Sequence, residues 1–305
     1  MSRCLSPLSP APLRASRARR WAWAAAALLV AGLGLSSGCA TLDEQQRAWI
    51  FQPSDRSWSG SLAAAQGMDD AWIDFHSAAS GEPVRLHGLW LPQARADAPV
   101  LLYLHGARWD VRGSAHRMRR LHALGFSVLG IDYRGFGRSS PGLPSEDLVH
   151  EDVKAAWQWL GQRQPTALRY LFGHSLGAAI AVRLAAESPD VAGLMVEGSF
   201  TSIPEVVGRF KWGWLPVSPL ITQRFDAASR IASVRVPVLV VHGSADSLIP
   251  PELGRALFER APSPKRWVLV EGGSHHSTNS IGLAQYREAV ASLFGIGTAP
   301  LALTR

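Results

Sequence analysis

The sequence predicts a doubly wound α/β domain, with an eight-stranded and mostly parallel sheet between two layers of helices. Three observations predict it. From Ala71 onward, short β-rich runs alternate with longer helix-like stretches, as expected for βαβ units joined by right-handed crossovers. Several runs, among them Val100-Leu101-Leu102-Tyr103-Leu104 and Val238-Leu239-Val240-Val241, are apolar at every position, which suits strands covered on both faces. The 305 residues are 47% hydrophobic and 18% charged, a globular composition with enough apolar material for a substantial core. Disordered, collagenous, coiled-coil and multi-pass membrane classes are excluded on the same grounds.

Taken in chain order, residues 1–38 read as an export leader. Arg3, Arg14, Arg17, Arg19 and Arg20 precede the uncharged apolar stretch Trp21 to Leu35, and Ser36-Ser37-Gly38-Cys39 follows, the three-part layout of a signal peptide. A spanning helix needs roughly 20 apolar residues, so the stretch is a poor one. Small residues before a lone cysteine resemble a bacterial lipobox, although Leu35 sits one place earlier than usual. The resemblance implies that Cys39 is diacylated and anchors the chain in the cell envelope, facing the periplasm. Ala40 resembles the sorting residue of outer-membrane lipoproteins. An uncleaved signal anchor is the alternative, and it too places the body outside the inner membrane. The five leader arginines account for most of the formal charge of +7, so the basicity marks targeting and excludes nucleic acid as a partner. Cys4 and Cys39 are the chain's two cysteines, which leaves the body no disulfide and no cysteine-rich metal site.

A linker is expected over 39–69, the catalytic body over 70–297 and a short tail over 298–305. Strands are predicted near 71–76, 83–91, 99–104, 126–131, 168–172, 192–197, 236–242 and 266–271. The clearest helices are predicted at 114–124, 145–163, 176–188, 252–261 and 281–294. Between Glu197 and Val236 lies room for a lid at about 200–230, in which Trp212 and Trp214 either line an acyl pocket or bury themselves against the body.

Ligands of such sheets bind beyond the carboxyl ends of the strands, and the chemistry-bearing motifs fall there. Strand Arg169-Tyr170-Leu171-Phe172 runs into Gly173-His174-Ser175-Leu176-Gly177 and then an alanine-rich helix. This is G-x-S-x-G in its strand-turn-helix setting. The tight turn strains the backbone at Ser175 and leaves no room for side chains at Gly173 and Gly177. The helix N-terminus favours negative charge developing on an attacked carbonyl oxygen. A serine needs a base, and the base an orienting acid. Asp246 follows the strand ending at Val241, and Ser274-His275-His276 follows the strand ending near Glu271. Only one of His275 and His276 can point at Ser175. Asp132, Glu197 and His105 also end strands and are read as structural, with His105 shaping the loop after the third strand. Gly135-Phe136-Gly137 is a poor dinucleotide fingerprint, and neither a P-loop nor a metal-ligand array is found, so no cofactor and no metal are expected.

Four segments together resemble the α/β-hydrolase fold, and within it the Bem46/ABHD13-type, S33-peptidase-like serine hydrolases. They are Leu104-His105-Gly106, Asp132-Tyr133-Arg134-Gly135-Phe136-Gly137-Arg138-Ser139, the Ser175 turn, and His242-Gly243-Ser244-Ala245-Asp246 with the Gly-Gly-Ser-His ending. The resemblance implies Ser175 as nucleophile, Asp246 as orienting acid and His275 as base. It also implies an oxyanion hole from the amides of Leu176 and Ala107, where relatives commonly carry Asn at the start of Ala107-Arg108. The expected activity is cleavage of carboxylic esters or thioesters of small acyl substrates through an acyl-serine. Acyl transfer, peptide cleavage and a non-catalytic binding module are the alternatives.

Overall fold

A computed structural model describes residues 40–55, 60–210 and 215–297. The leader, Cys39, Trp212, Trp214 and the 298–305 tail lie outside these residues. The chain divides into two units, 1–44 and 45–305, and all eight strands lie in the second.

The strands are β1 (Asp69–His76), β2 (Pro83–Leu91), β3 (Val100–Leu104), β4 (Ser127–Ile131), β5 (Arg169–His174), β6 (Gly193–Glu197), β7 (Val238–Gly243) and β8 (Lys265–Val270). They form one sheet in the order β1-β2-β4-β3-β5-β6-β7-β8. The pairs β1/β2 and β2/β4 are antiparallel and all others parallel. Every residue of β3, β4, β6 and β7 is buried, because each of these strands packs a helix layer on both faces.

After a helical stretch that ends at residue 51, the helices are α1 (Ser61–Ala65), α2 (Ala115–His122), α3 (Glu146–Arg163), α4 (Leu176–Glu187), α5 (Ile203–Gly208), α6 (Ala227–Ile231), α7 (Pro251–Arg260), α8 (Thr278–Ile281) and α9 (Leu283–Phe294). Strand side chains alternate between faces. Leu102, Leu171, Val196 and Val240 pack with α3, α4 and α7. Their neighbours Leu101, Phe172, Met195 and Val241 pack with α2 and α9. Local chemistry sets the helix ends: Ser145 caps α3 by accepting from the Leu148 amide, with Glu146 and Asp147 in the first turn and Arg163 in the last.

The expected linker over 39–69 is not a spacer in its described part. The chain is helical through residue 51, Phe51 is fully buried, and Arg47 donates to the carbonyls of Leu143 and Pro144. The expected lid region contains α5, a 3-10 turn at Ser218–Leu220 and α6.

Candidate active site

All five loops that follow β3, β5, β6, β7 and β8 open on the carboxyl edge of the sheet. There they line a cavity of about 590 Å³.

Ser175 sits between β5 and α4 at φ 56°, ψ −121°, a conformation that costs a non-glycine residue roughly 1–3 kcal/mol and persists only where its surroundings enforce it. The two flanking glycines do the enforcing. A Cβ on Gly173 would lie 2.2 Å from the Gly177 carbonyl oxygen, and one on Gly177 would lie 2.2 Å from the Leu104 oxygen and 2.6 Å from the His105 oxygen. The turn can therefore press α4 onto β3 and β5 only with glycine at both positions. The Ser175 amide donates to the Glu197 carbonyl at 2.9 Å, which pins the bend to β6.

The loop after β7 delivers Asp246, whose Oδ2 accepts from His275 Nδ1 at 2.7 Å. Its Oδ1 accepts from the amides of Leu248 at 3.0 Å and Ile249 at 2.9 Å. Burial alone would raise this carboxyl, but the hydrogen bonds from His242 and His275, with the Ile249 amide, overcome it and hold Asp246 well below the usual carboxylate range. An ionised Asp246 keeps the proton of His275 on Nδ1 and leaves Nε2 as the basic nitrogen. His275 is buried and lines the same cavity as Ser175. Ser175 Oγ makes no hydrogen bond to it among the described residues. Serine-histidine contacts commonly tighten only when substrate binds. His276, the competing histidine, is exposed and turns its ring 82° to that of His275.

Ala107 and Leu176 both border the cavity. Neither amide donates to a turn or loop carbonyl among the described residues. Arg108, the next residue, lies at φ 82° and its amide donates to the Phe51 carbonyl at 2.9 Å. Gly106 leaves space as well, since a Cβ there would lie 3.1 Å from Ser175 Cβ. His105 is buried, donates from Nδ1 to the Gly106 carbonyl at 2.6 Å, and takes the Tyr133 hydroxyl on its own carbonyl at 3.0 Å. Burial depresses its basicity, in keeping with a part in shaping the loop.

Several residues around the site were not singled out by motif. His174, inside the G-x-S-x-G turn, donates from Nε2 to the His275 carbonyl at 3.0 Å. Burial, and then the charges of Arg117 and His275, hold it neutral, well below the ordinary imidazole value. Arg117 of α2 forms a buried ion pair with Glu197 at 2.9 Å, and the Tyr286 hydroxyl donates to the other Glu197 oxygen. Glu197 is thereby committed to Arg117 and Tyr286. Asp132 is equally committed: it accepts from the Val111 amide at 2.6 Å and pairs with buried His87. The partners of Arg117 and Asp132 are 80 and 45 residues away in sequence, which no local pattern marks.

A family model described as serine aminopeptidase, S33, matches residues 95–229 and 220–280. The uncharacterized protein Rv2307c of Mycobacterium tuberculosis is 39% identical over 236 residues, which cover 76% of this chain and 81% of the relative. The lysophosphatidylserine lipase ABHD12 of Danio rerio is 34% identical over 188 residues, 55% of this chain and 48% of the relative, so this chain spans about half of that protein. Among solved structures, the Pyrococcus furiosus esterase Pf2001 superposes with a TM-score of 0.62 at 19% identity, covering 80% of this chain and 98% of the esterase. Est1E from Butyrivibrio proteoclasticus, with ferulic acid bound, gives a TM-score of 0.59 at 19% identity, covering 74% of this chain and 99% of Est1E. These structural likenesses show the α/β-hydrolase fold.

Proposed function

Because the chain belongs to the serine aminopeptidase S33 family of α/β-hydrolases and is therefore a hydrolase, we propose that it cleaves carboxylic esters or thioesters through an acyl intermediate on Ser175. One observation carries this reading: the 2.7 Å His275–Asp246 pair faces the same cavity as a serine held on a strained bend. In the first step His275 Nε2 takes the hydroxyl proton while Ser175 Oγ bonds to the substrate carbonyl carbon. The carbonyl electron pair moves onto its oxygen, which the amides of Ala107 and Leu176 receive. Collapse breaks the bond to the leaving oxygen or sulfur, and the proton on His275 goes to that atom. Water then attacks the acyl-serine with His275 as base again, releasing the carboxylic acid and the free enzyme.

An ester or thioester is favoured over a peptide with a free amino terminus by the lining of the cavity. An aminopeptidase must hold an ammonium group, yet no Asp or Glu lines this cleft among the described residues. Its apolar side, Ile203, Val206 and Val207 of α5 with Phe200, suits an acyl chain. The name of the lipase relatives agrees with an acyl ester.

Covalent labelling by a fluorophosphonate tests the mechanism. The wild type is expected to be labelled and Ser175→Ala not; label of equal intensity on the variant overturns the reading. We further propose that diacylated Cys39 anchors the body in the bacterial cell envelope. Cys39→Ser is expected to abolish incorporation of labelled palmitate and to release the protein from membranes, and retained label would refute the anchor.

A further inference from the structure

We propose that the cleft contains an anion subsite, formed by Arg120 and Arg108 beside Arg117, that receives a phosphate or carboxylate group on the leaving-group side of the substrate ester. The catalytic consequence rests on the reading of Ser175 given above; the binding itself does not.

The lining of the cleft includes Arg108, Arg117 and Arg120 with His116 and His276, and no acidic residue among the described residues. The neighbouring arginines have partners. Arg112 pairs with Asp110, Arg117 with Glu197, and Arg119 donates to the carbonyls of Ala64 and Gln66. The guanidinium groups of Arg120 and Arg108 make no hydrogen bond or ion pair among the described residues. Segments 1–39, 56–59, 211–214 and 298–305 contain no Asp or Glu, so they bring no acidic side chain to either guanidinium.

Such an arrangement is expensive without a ligand. Arg120 is half-buried, and Arg117 lies three residues earlier on the same helix, a spacing at which like charges repel. Burial, and then the charge of Arg117, lower the pKa of Arg120, and the charge of Glu197, already paired with Arg117, offsets only part of this. A bound anion would relieve both penalties. A guanidinium fork matches phosphate and carboxylate in shape, and the acid-free lining concentrates positive potential on the cleft.

The position of α2 selects the side of the substrate. Arg117 reaches the His276 carbonyl at 3.5 Å, next to His275, which must protonate the leaving atom. The arginines of α2 therefore border the leaving group, while the apolar wall of α5 borders the acyl chain. An amphiphilic ester with an anionic alcohol portion fits both halves.

Binding of octyl phosphate and of 1-octanol, measured by titration calorimetry on the full chain, tests the subsite without turnover. Wild type and Ser175→Ala are both expected to prefer the phosphate by about tenfold or more, and Arg120→Gln to lose most of that preference, with Arg120→Lys recovering part of it. Two matched ester pairs then read the chemistry: octanoyl glycerol with and without a 3-phosphate, and 4-octanoyloxybenzoate with its methyl ester. A higher kcat/KM for either anion over its neutral partner, reduced in Arg120→Gln and partly restored in Arg120→Lys, supports the subsite, and the pair with the larger ratio names the anion. Equal binding of octyl phosphate and octanol by the wild type, or a preference unchanged in Arg120→Gln, overturns it. If no ester is hydrolysed while the phosphate preference in binding persists, the Ser175 reading fails and the subsite stands.

Discussion

Asp246 spends one oxygen on the amides of Leu248 and Ile249 and the other on His275, so its charge both shapes its loop and fixes the imidazole tautomer. Asp246→Asn offers an amide group where His275 needs an acceptor. We expect kcat on an aryl ester to fall by roughly 10⁴-fold with KM little changed, and a loss below tenfold would remove Asp246 from the orienting role. His275→Ala is expected to abolish turnover, whereas His276→Ala, which truncates an exposed ring, is expected to reduce kcat by less than about tenfold. Steady-state rates on the two variants decide the assignment, and the reverse ranking reassigns the base.

At the scale of elements, the turn from β5 to α4 is a joint with no room for a side chain at either flanking glycine. Gly177→Ala places a methyl group against the carbonyls of Leu104 and His105, so α4 must move off β3. We expect a loss of about 3 kcal/mol or more in urea unfolding; a change under about 1 kcal/mol would mean that the helix shifts freely. The sequence revealed most of these elements, because strands buried on both faces are apolar throughout. The observed ranges differ from the expected ones by two residues or fewer at each strand end. The core of the G-x-S-x-G turn and the positions of Asp246 and His275 after their strands were legible for the same reason. The short helices α1, α5 and α6 were not, since five or six residues carry too little periodicity to mark a face. Nor was the cluster on α2, because its buried ion pair joins a helix to a strand end far along the chain, and net charge averages over such local groupings.

For the molecule as a whole, the buried histidine at the antiparallel edge sets a pH dependence. His87 lies between Asp132 and Asp70. Burial opposes its charge, but the two carboxylates prevail and raise its pKa above 6.5. A raised folded value means that the contribution is complete below pH 6.5 and is lost as the pH climbs through the folded value. Asp246 works in the opposite direction: its depressed folded value gives a contribution present above 3.8 and lost as the pH falls below it. His174 and His105, buried and depressed, oppose the His87 slope near pH 6.5, so the His87 share is read from a variant: in urea midpoints, His87→Gln is expected to remove a stabilising contribution that declines above pH 6.5 while leaving the loss in acid. An alkaline slope identical in wild type and variant would assign that decline elsewhere. The carbonyl of Phe51, clasping the amide of Arg108, has a practical consequence. A version of this protein trimmed to begin at the first strand would lack that carbonyl and would unbuckle the left-handed residue beside the Ala107 amide. It would keep its sheet and lose speed, and shortening the chain no further than Gln45 avoids that penalty.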